Sequence, residues 1–287
     1  MPSGAELRQF ATGGEVAIRG ETVGEGPPII LCHGITATRR SVIHGSRRLE
    51  RGGYTVIGYD ARGHGESDPA PPGTGYGYPE LRGDLASVID AQVGGGPTVL
   101  AGHSMGAHTA LGFALEAPDR VAGLVLIGPT YQGTIEADSL RYWDGLAAAL
   151  GDGGIDGFVS YIDRFQGIDS AWRDSVLRFT RERMERHRHL EALVTALHEL
   201  PRSRPFEGMS ELGTLAVPTL VVASHDAADP GHPYAVAAEY AERIPGARLV
   251  SEAEGQSPLA WQGGRLSREI ETFCAEPEVV ERLQAAP

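Results

Sequence analysis

Two regimes of hydrophobic patterning divide this chain of 287 residues. Toward both ends, short continuous apolar runs are separated by glycine, proline and polar residues. The runs at 28–32, 54–59, 97–101, 121–127, 217–223 and 247–250 are too short for helices and carry no alternating polar face. Such runs predict strands of a parallel sheet that is buried on both sides. Residues 107–117 are rich in Ala and Leu and stop at Pro118, which predicts a helix, and 232–244 predicts another. Between Tyr131 and about Gly213 the strand pattern disappears. The segments 143–150, 155–165, 171–187 and 190–200 instead space their apolar residues for one buried helical face. The pattern predicts an α/β fold: a mostly parallel, doubly wound sheet from residues 1–130 and 214–287, with a helical insertion over 131–213.

The chemistry concentrates at strand ends. The run at 97–101 leads into Gly102-His103-Ser104-Met105-Gly106, and a helix follows at once. In that context a G-x-S-x-G pentapeptide is a nucleophile elbow. Its glycines permit a sharp turn that lifts the serine hydroxyl above the sheet, and the helix start behind it offers unpaired N–H groups to a developing oxyanion. The strand at 28–32 ends in His33-Gly34-Ile35-Thr36, and the strand at 54–59 runs into Asp60-Ala61-Arg62-Gly63-His64-Gly65-Glu66-Ser67.

With these three motifs in order, each at a strand end, the chain resembles the α/β-hydrolase superfamily, in the branch that carries a helical cap. The resemblance extends from about Glu15 to Cys274. It implies a serine hydrolase of a small-molecule ester, thioester or lactone, with Ser104 as nucleophile and the backbone N–H groups of Ile35 and Met105 as oxyanion hole. The insertion takes the place of the cap. The serine at the elbow argues against epoxide or haloalkane hydrolysis through an aspartyl ester. His33 and the Arg62-to-Gly65 loop read as scaffold, with Asp60 and Arg62 tying the loop down. Arg39 and Arg40 are candidates for a substrate carboxylate or the start of a surface helix. His33, His103, Tyr131 and Trp143 are further candidates for the substrate pocket, and the aromatics are equally suited to packing the insertion on the core.

The resemblance places the acid at the end of the 217–223 strand, where Asp226 stands, with Asp229 as competitor further into the loop. It places the histidine after the 247–250 strand, where this chain has Glu254-Gly255-Gln256-Ser257-Pro258. Gln256 occupies the histidine position, and no histidine follows His232. A glutamine amide is not basic and accepts no proton at neutral pH. Three explanations compete. Gln256 is an engineered replacement; the base comes from elsewhere; or Ser104 is no nucleophile, and the fold serves as a non-hydrolytic catalyst or small-ligand receptor. For the second, His232 lies beside the acid loop. His225 neighbours Asp226 but points to the opposite face of the strand end, and His103 sits next to the nucleophile. An unrescued site loses about 10⁶-fold in rate, which excludes routine turnover.

A formal net charge of −13 argues against nucleic acid or an anionic membrane as partner. The basic stretch from Arg181 to His189 interleaves glutamates with arginines and reads as a solvated helix face. No run is long and apolar enough to span a membrane, and the first ten residues lack the pattern of a secretion signal. Cys32, ending a buried strand, and Cys274, placed in the last helix, read as small core residues in a reduced, cytoplasmic setting. No metal-ligand spacing or cofactor fingerprint is present. The expected partner is a small-molecule substrate.

Overall fold

A computed structural model describes residues 7–225 and 228–285. Eight strands form one sheet in the order β1-β2-β4-β3-β5-β6-β7-β8. These are β1 (Arg8–Ala11), β2 (Arg19–Val23), β3 (Pro28–Cys32), β4 (Thr55–Tyr59), β5 (Thr98–His103), β6 (Val121–Ile127), β7 (Thr219–Val222) and β8 (Arg248–Val250). From β4 to β8 every pairing is parallel, while β1 and β2 add an antiparallel edge. The six strands predicted from apolar runs are those of the parallel part. All seven residues of β6 are buried, as expected of a strand covered on both faces.

The helices are α1 (Arg48–Arg51), α2 (Tyr78–Val93), α3 (Met105–Glu116), α4 (Ala137–Phe165), α5 (Arg173–Met184), α6 (Leu190–Glu199), α7 (Tyr234–Arg243), α8 (Gly263–Cys274) and α9 (Pro277–Gln284). Two apolar clusters sandwich the sheet, one under α2, α3 and α7, the other under α8 and α9. Cys274 ends α8 and is not in the last helix, because α9 follows and packs Val279 against the sheet.

No strand interrupts the residues between β6 and β7. The two helices expected at 143–150 and 155–165 are one kinked rod, α4, bent at Gly154 (φ 58°, ψ −150°). A left-handed residue inside a helix is tolerable only for glycine. The insertion has its own core of Leu146, Leu150, Phe158, Ile162, Leu193 and Leu197, which continues without a break onto Ile35 and Met105. Leu193 and Leu197 are fully buried, and each contributes about 2 kcal/mol of apolar burial. The insertion is therefore seated directly above the loop after β3 and the turn at Ser104.

Candidate active site

The elbow is built by close backbone approach. Ser104 has φ 52° and ψ −114°, one of two non-glycine residues with positive φ among those described. Its N–H donates to the Ile127 carbonyl at 2.9 Å. A Cβ on Gly102 would stand 2.2 Å from the Gly106 carbonyl oxygen, and one on Gly106 would stand 2.1 Å from the Cys32 carbonyl oxygen. Both positions exclude any side chain. Met105 is the first residue of α3, so its N–H has no partner within the helix. Gly34 fits against the elbow, with its Cβ position 3.6 Å from the Ser104 Cβ, and this brings the Ile35 end of the loop after β3 alongside.

The loop after β7 supplies a hydrogen-bonded pair. Asp229 Oδ1 accepts from His232 Nδ1 at 2.9 Å, with both side chains largely buried. An ionised carboxylate only accepts, so Nδ1 carries the proton and Nε2 is left with its lone pair. Sheet register carries this pair to the serine. His103 and Ile127 are partners across β5 and β6, which sets Ser104 beside Gly128. A Cβ on Gly128 would meet the His232 Cβ and ring at 3.2 Å. The His103 ring lies 4.8 Å from that of His232, tilted by 51°.

The two imidazoles differ in basicity. Burial, helped by the charges of His232, His44 and Arg183, pushes His103 down to about 3. Burial also pulls on His232, but the Asp229 carboxylate, by charge and by hydrogen bond, lifts it above the ordinary imidazole value. Burial raises the Asp229 carboxyl, while His232, then His103 and Arg183, bring it below the ordinary carboxylate range. His103, Asp229 and His232 also hold ligand atoms within 4.8 Å of one another, close enough for one cation. Asp229 Oδ1 and His232 Nδ1 are already bonded to each other, and the Arg183 charge acts on all three residues. The positive charge of Arg183 nearby opposes a second cation at this cluster.

The other residues singled out in the sequence fall in different places. Asp226 lies outside the described residues. Gln256 is exposed on a turn closed by its N–H to the Ala253 carbonyl, and its Oε1 accepts from Arg265. Its side-chain oxygen is thus engaged by Arg265. His225 stacks on Tyr234 at 3.8 Å, and its N–H donates to the buried Glu252. Arg39 is not available to a substrate: it is buried, ion-paired with Asp60, Glu66 and Glu21. Arg40 pairs with Glu21 and starts no helix. His33 is scaffold, accepting the Ala61 N–H at Nε2 and donating to the Gly34 carbonyl from Nδ1. Arg62 forms a two-pronged pair with Asp84, and Asp60 accepts the Glu66 and Arg39 N–H groups, which ties the loop down.

Trp143 packs on Tyr142 within the insertion's own core, above Met105 and Ile35. Tyr131 packs edge-on against Phe206 at 5.0 Å, and its buried hydroxyl has no hydrogen-bond partner among the described residues. The basic stretch from Arg181 to His189 is only partly a solvated face. Arg181 and Arg188 pair with Asp156 and Glu66 on other elements, whereas Arg183 and His187 turn inward. Helical spacing from the buried Thr180 and Met184 was the signal for that inward face.

A family model described as alpha/beta hydrolase fold matches residues 27–262. The chain belongs to the α/β-hydrolase fold family. Epoxide hydrolase 2 of Siraitia grosvenorii is 34% identical over 131 residues, which are 46% of this chain and 40% of that protein. An sn-1-specific diacylglycerol lipase of Mus musculus is 35% identical over 109 residues, 38% of this chain and 34% of the lipase. The chain thus spans less than half the length of these curated relatives. Among solved structures, a thermophilic esterase from Thermogutta terrifontis superposes with a TM-score of 0.77 at 21% identity, covering 98% of this chain and all of the esterase. That likeness concerns the fold.

Proposed function

We propose that the protein hydrolyses a small-molecule ester, thioester or lactone through Ser104, with His232 as the base and Asp229 as the acid that orients it. The observation that carries this reading is the Asp229–His232 hydrogen bond beside the elbow. In this family member the base is supplied from the β7–α7 loop, and the usual histidine position, Gln256, is free to face solvent. The relatives' hydrolase names agree with the reaction class.

In the mechanism, His232 Nε2 takes the proton as Ser104 Oγ attacks the acyl carbon. Asp229 keeps the proton on Nδ1 and stabilises the imidazolium that forms. The tetrahedral oxyanion is received by the N–H groups of Ile35 and Met105. The imidazolium then protonates the leaving alcohol, thiol or ring oxygen. Water, activated by the same nitrogen, releases the acid from Ser104. His103, held neutral, forms a wall beside the base without competing for the proton. The segment 131–213 acts as a lid whose underside, including Trp143, shapes the acyl pocket and excludes water.

Intact-mass detection of fluorophosphonate labelling tests the reading. Labelling of one site per chain that is lost in Ser104→Ala and slowed at least about 10³-fold in His232→Ala is the expected result. Labelling indifferent to His232 would transfer the role of base to another group. No labelling of Ser104 at all would favour the alternative, a ligand receptor or non-hydrolytic catalyst on the same fold.

A further inference from the structure

Arg183 is the residue that the hydrolytic reading leaves unexplained. It lies near the end of α5, whose buried face runs through Val176, Thr180 and Met184. One turn later the chain is docked on the catalytic edge of the sheet. The Gly65 N–H donates to His187 Nδ1 at 3.0 Å, and the Thr36 carbonyl of the oxyanion loop accepts from His187 Nε2 at 3.3 Å. Arg183 is thereby carried to the underside of the insertion, over the site. Its Nε is buried without a hydrogen-bond partner, and its guanidinium makes no ion pair among the described residues. Every carboxylate that its charge reaches is already engaged: Asp229 is bonded to His232.

A half-buried guanidinium with its Nε unpaired and no counter-ion keeps unmet hydrogen-bonding capacity, at a cost, while its terminal nitrogens stay open to a ligand. Its planar fork matches a carboxylate bidentately. The field of Arg183 acts on His103, His232, Asp229 and His44 together, so the group lies among the residues that surround the nucleophile. We infer that Arg183 is the anchor for a carboxylate on the substrate, so that the protein acts on acidic esters or lactones: molecules with one acyl bond over Ser104 and one free carboxylate against α5. This rests on the hydrolytic reading above and specifies its substrate class.

The test compares two chain-matched esters, p-nitrophenyl pentanoate and mono-p-nitrophenyl glutarate, which differ by a methyl group against a carboxylate. The wild type should favour the glutarate ester in kcat/KM. In Arg183→Gln the ratio of glutarate to pentanoate kcat/KM should fall by about 10–100-fold, mainly through KM, and Arg183→Lys should restore part of it. Equal losses on both esters would assign Arg183 to tuning the Asp229–His232 pair and overturn the inference, as would an unchanged ratio. Activity on both esters that survives Ser104→Ala would instead refute the hydrolytic reading. A binding measurement independent of turnover completes the test: calorimetric titration of glutarate into Ser104→Ala, and into Ser104→Ala with Arg183→Gln. A Kd weakened at least tenfold by the second substitution is expected, and equal titrations would overturn the inference even if neither ester is turned over.

Discussion

Replacing Asp229 by asparagine removes a charge while keeping the shape of the side chain, and it isolates what the β7–α7 loop contributes to catalysis. His232 lies where burial alone would hold its pKa below the ordinary imidazole value, and only the neighbouring carboxylate lifts it above. Asparagine gives up the charge, and its amide can present an N–H to Nδ1, which would leave Nε2 protonated and facing the serine. In Ser-His-Asp sites the same change costs about 10⁴-fold in kcat, or ~5 kcal/mol at 1.36 kcal/mol per decade. For Asp229→Asn we therefore expect kcat/KM on p-nitrophenyl butyrate to fall by about 10³–10⁴-fold.

The pH profile carries a second signature. The base works only when neutral, so the wild-type rate should climb with pH through a pKa above the ordinary imidazole value of about 6.5. In Asp229→Asn that limb should move to lower pH as the residual rate falls. Initial rates over roughly pH 5 to 9 read both effects. The reasoning is refuted if Asp229→Asn stays within about threefold of the wild type while Asp226→Asn loses activity. The acid would then be where the family resemblance places it, and Asp229 would be a loop carboxylate with no catalytic role.

Gln256→Ala should stay within about threefold in kcat/KM, because its exposed side chain is engaged by Arg265; a loss of 10²-fold or more in steady-state assays would place it at the site. Ser104→Gly should melt about 2 °C or more above Ser104→Ala, since glycine relieves a positive-φ strain of roughly 1–3 kcal/mol that alanine retains; differential scanning calorimetry reads the difference. Arg39→Gln should destabilise by about 3–5 kcal/mol in urea unfolding, because it strands the buried Asp60, and should leave the KM for esters largely alone. The Asp229–His232 pair should also shape stability against pH. The lowered Asp229 contributes above its unfolded value of about 3.9 and loses that as pH falls through the native one; the raised His232 contributes fully below about 6.5 and loses that as pH rises through the native one. In thermal melts, the stability difference between wild type and His232→Ala should therefore be largest at roughly pH 4–6.5.

How legible each feature was in the sequence follows from how local its cause is. Strands β3 to β7 are covered on both faces, so they leave continuous apolar runs in the sequence. The antiparallel edge does not: β1 has three exposed residues out of four, and β2 alternates half-buried and buried positions over only five. The elbow was legible because its glycines form a short fixed pattern in the sequence, demanded by one backbone contact four residues away, 102 against 106, and one across the sheet, 106 against 32. The Gly154 kink was visible only as a gap between two helices, since the bend lies at one residue. Arg183 was hidden in a basic stretch whose composition resembles a solvated face; its helical phase relative to Thr180 and Met184, and not its charge, decides that it turns inward.

The base illustrates the limit of motif spacing most directly. An elbow requires a proton acceptor at a place in space, and that place lies above the carboxyl ends of several parallel strands, each with its own loop. A histidine after β8 reaches it in the usual arrangement that the resemblance implies. In the proposed arrangement the loop after β7 supplies it from one strand nearer, and Gly128 at the end of β6 lacks the Cβ that would crowd the His232 ring. Gly128 also has φ 55°, a conformation that a side chain would strain. On this proposal the base at His232 depends on this small residue beside the elbow, as well as on the aspartate three positions before it. Gly128→Ala makes the dependence measurable. The added methyl group must displace the ring by a few tenths of an ångström at least, and misplacement on the ångström scale costs about 10²-fold where a proton acceptor must meet its donor. A fall of that order in kcat/KM, with the Ser104 label still attainable on long incubation, is the expected outcome. Wild-type rates in a folded Gly128→Ala protein would mean that His232 does not work from this position.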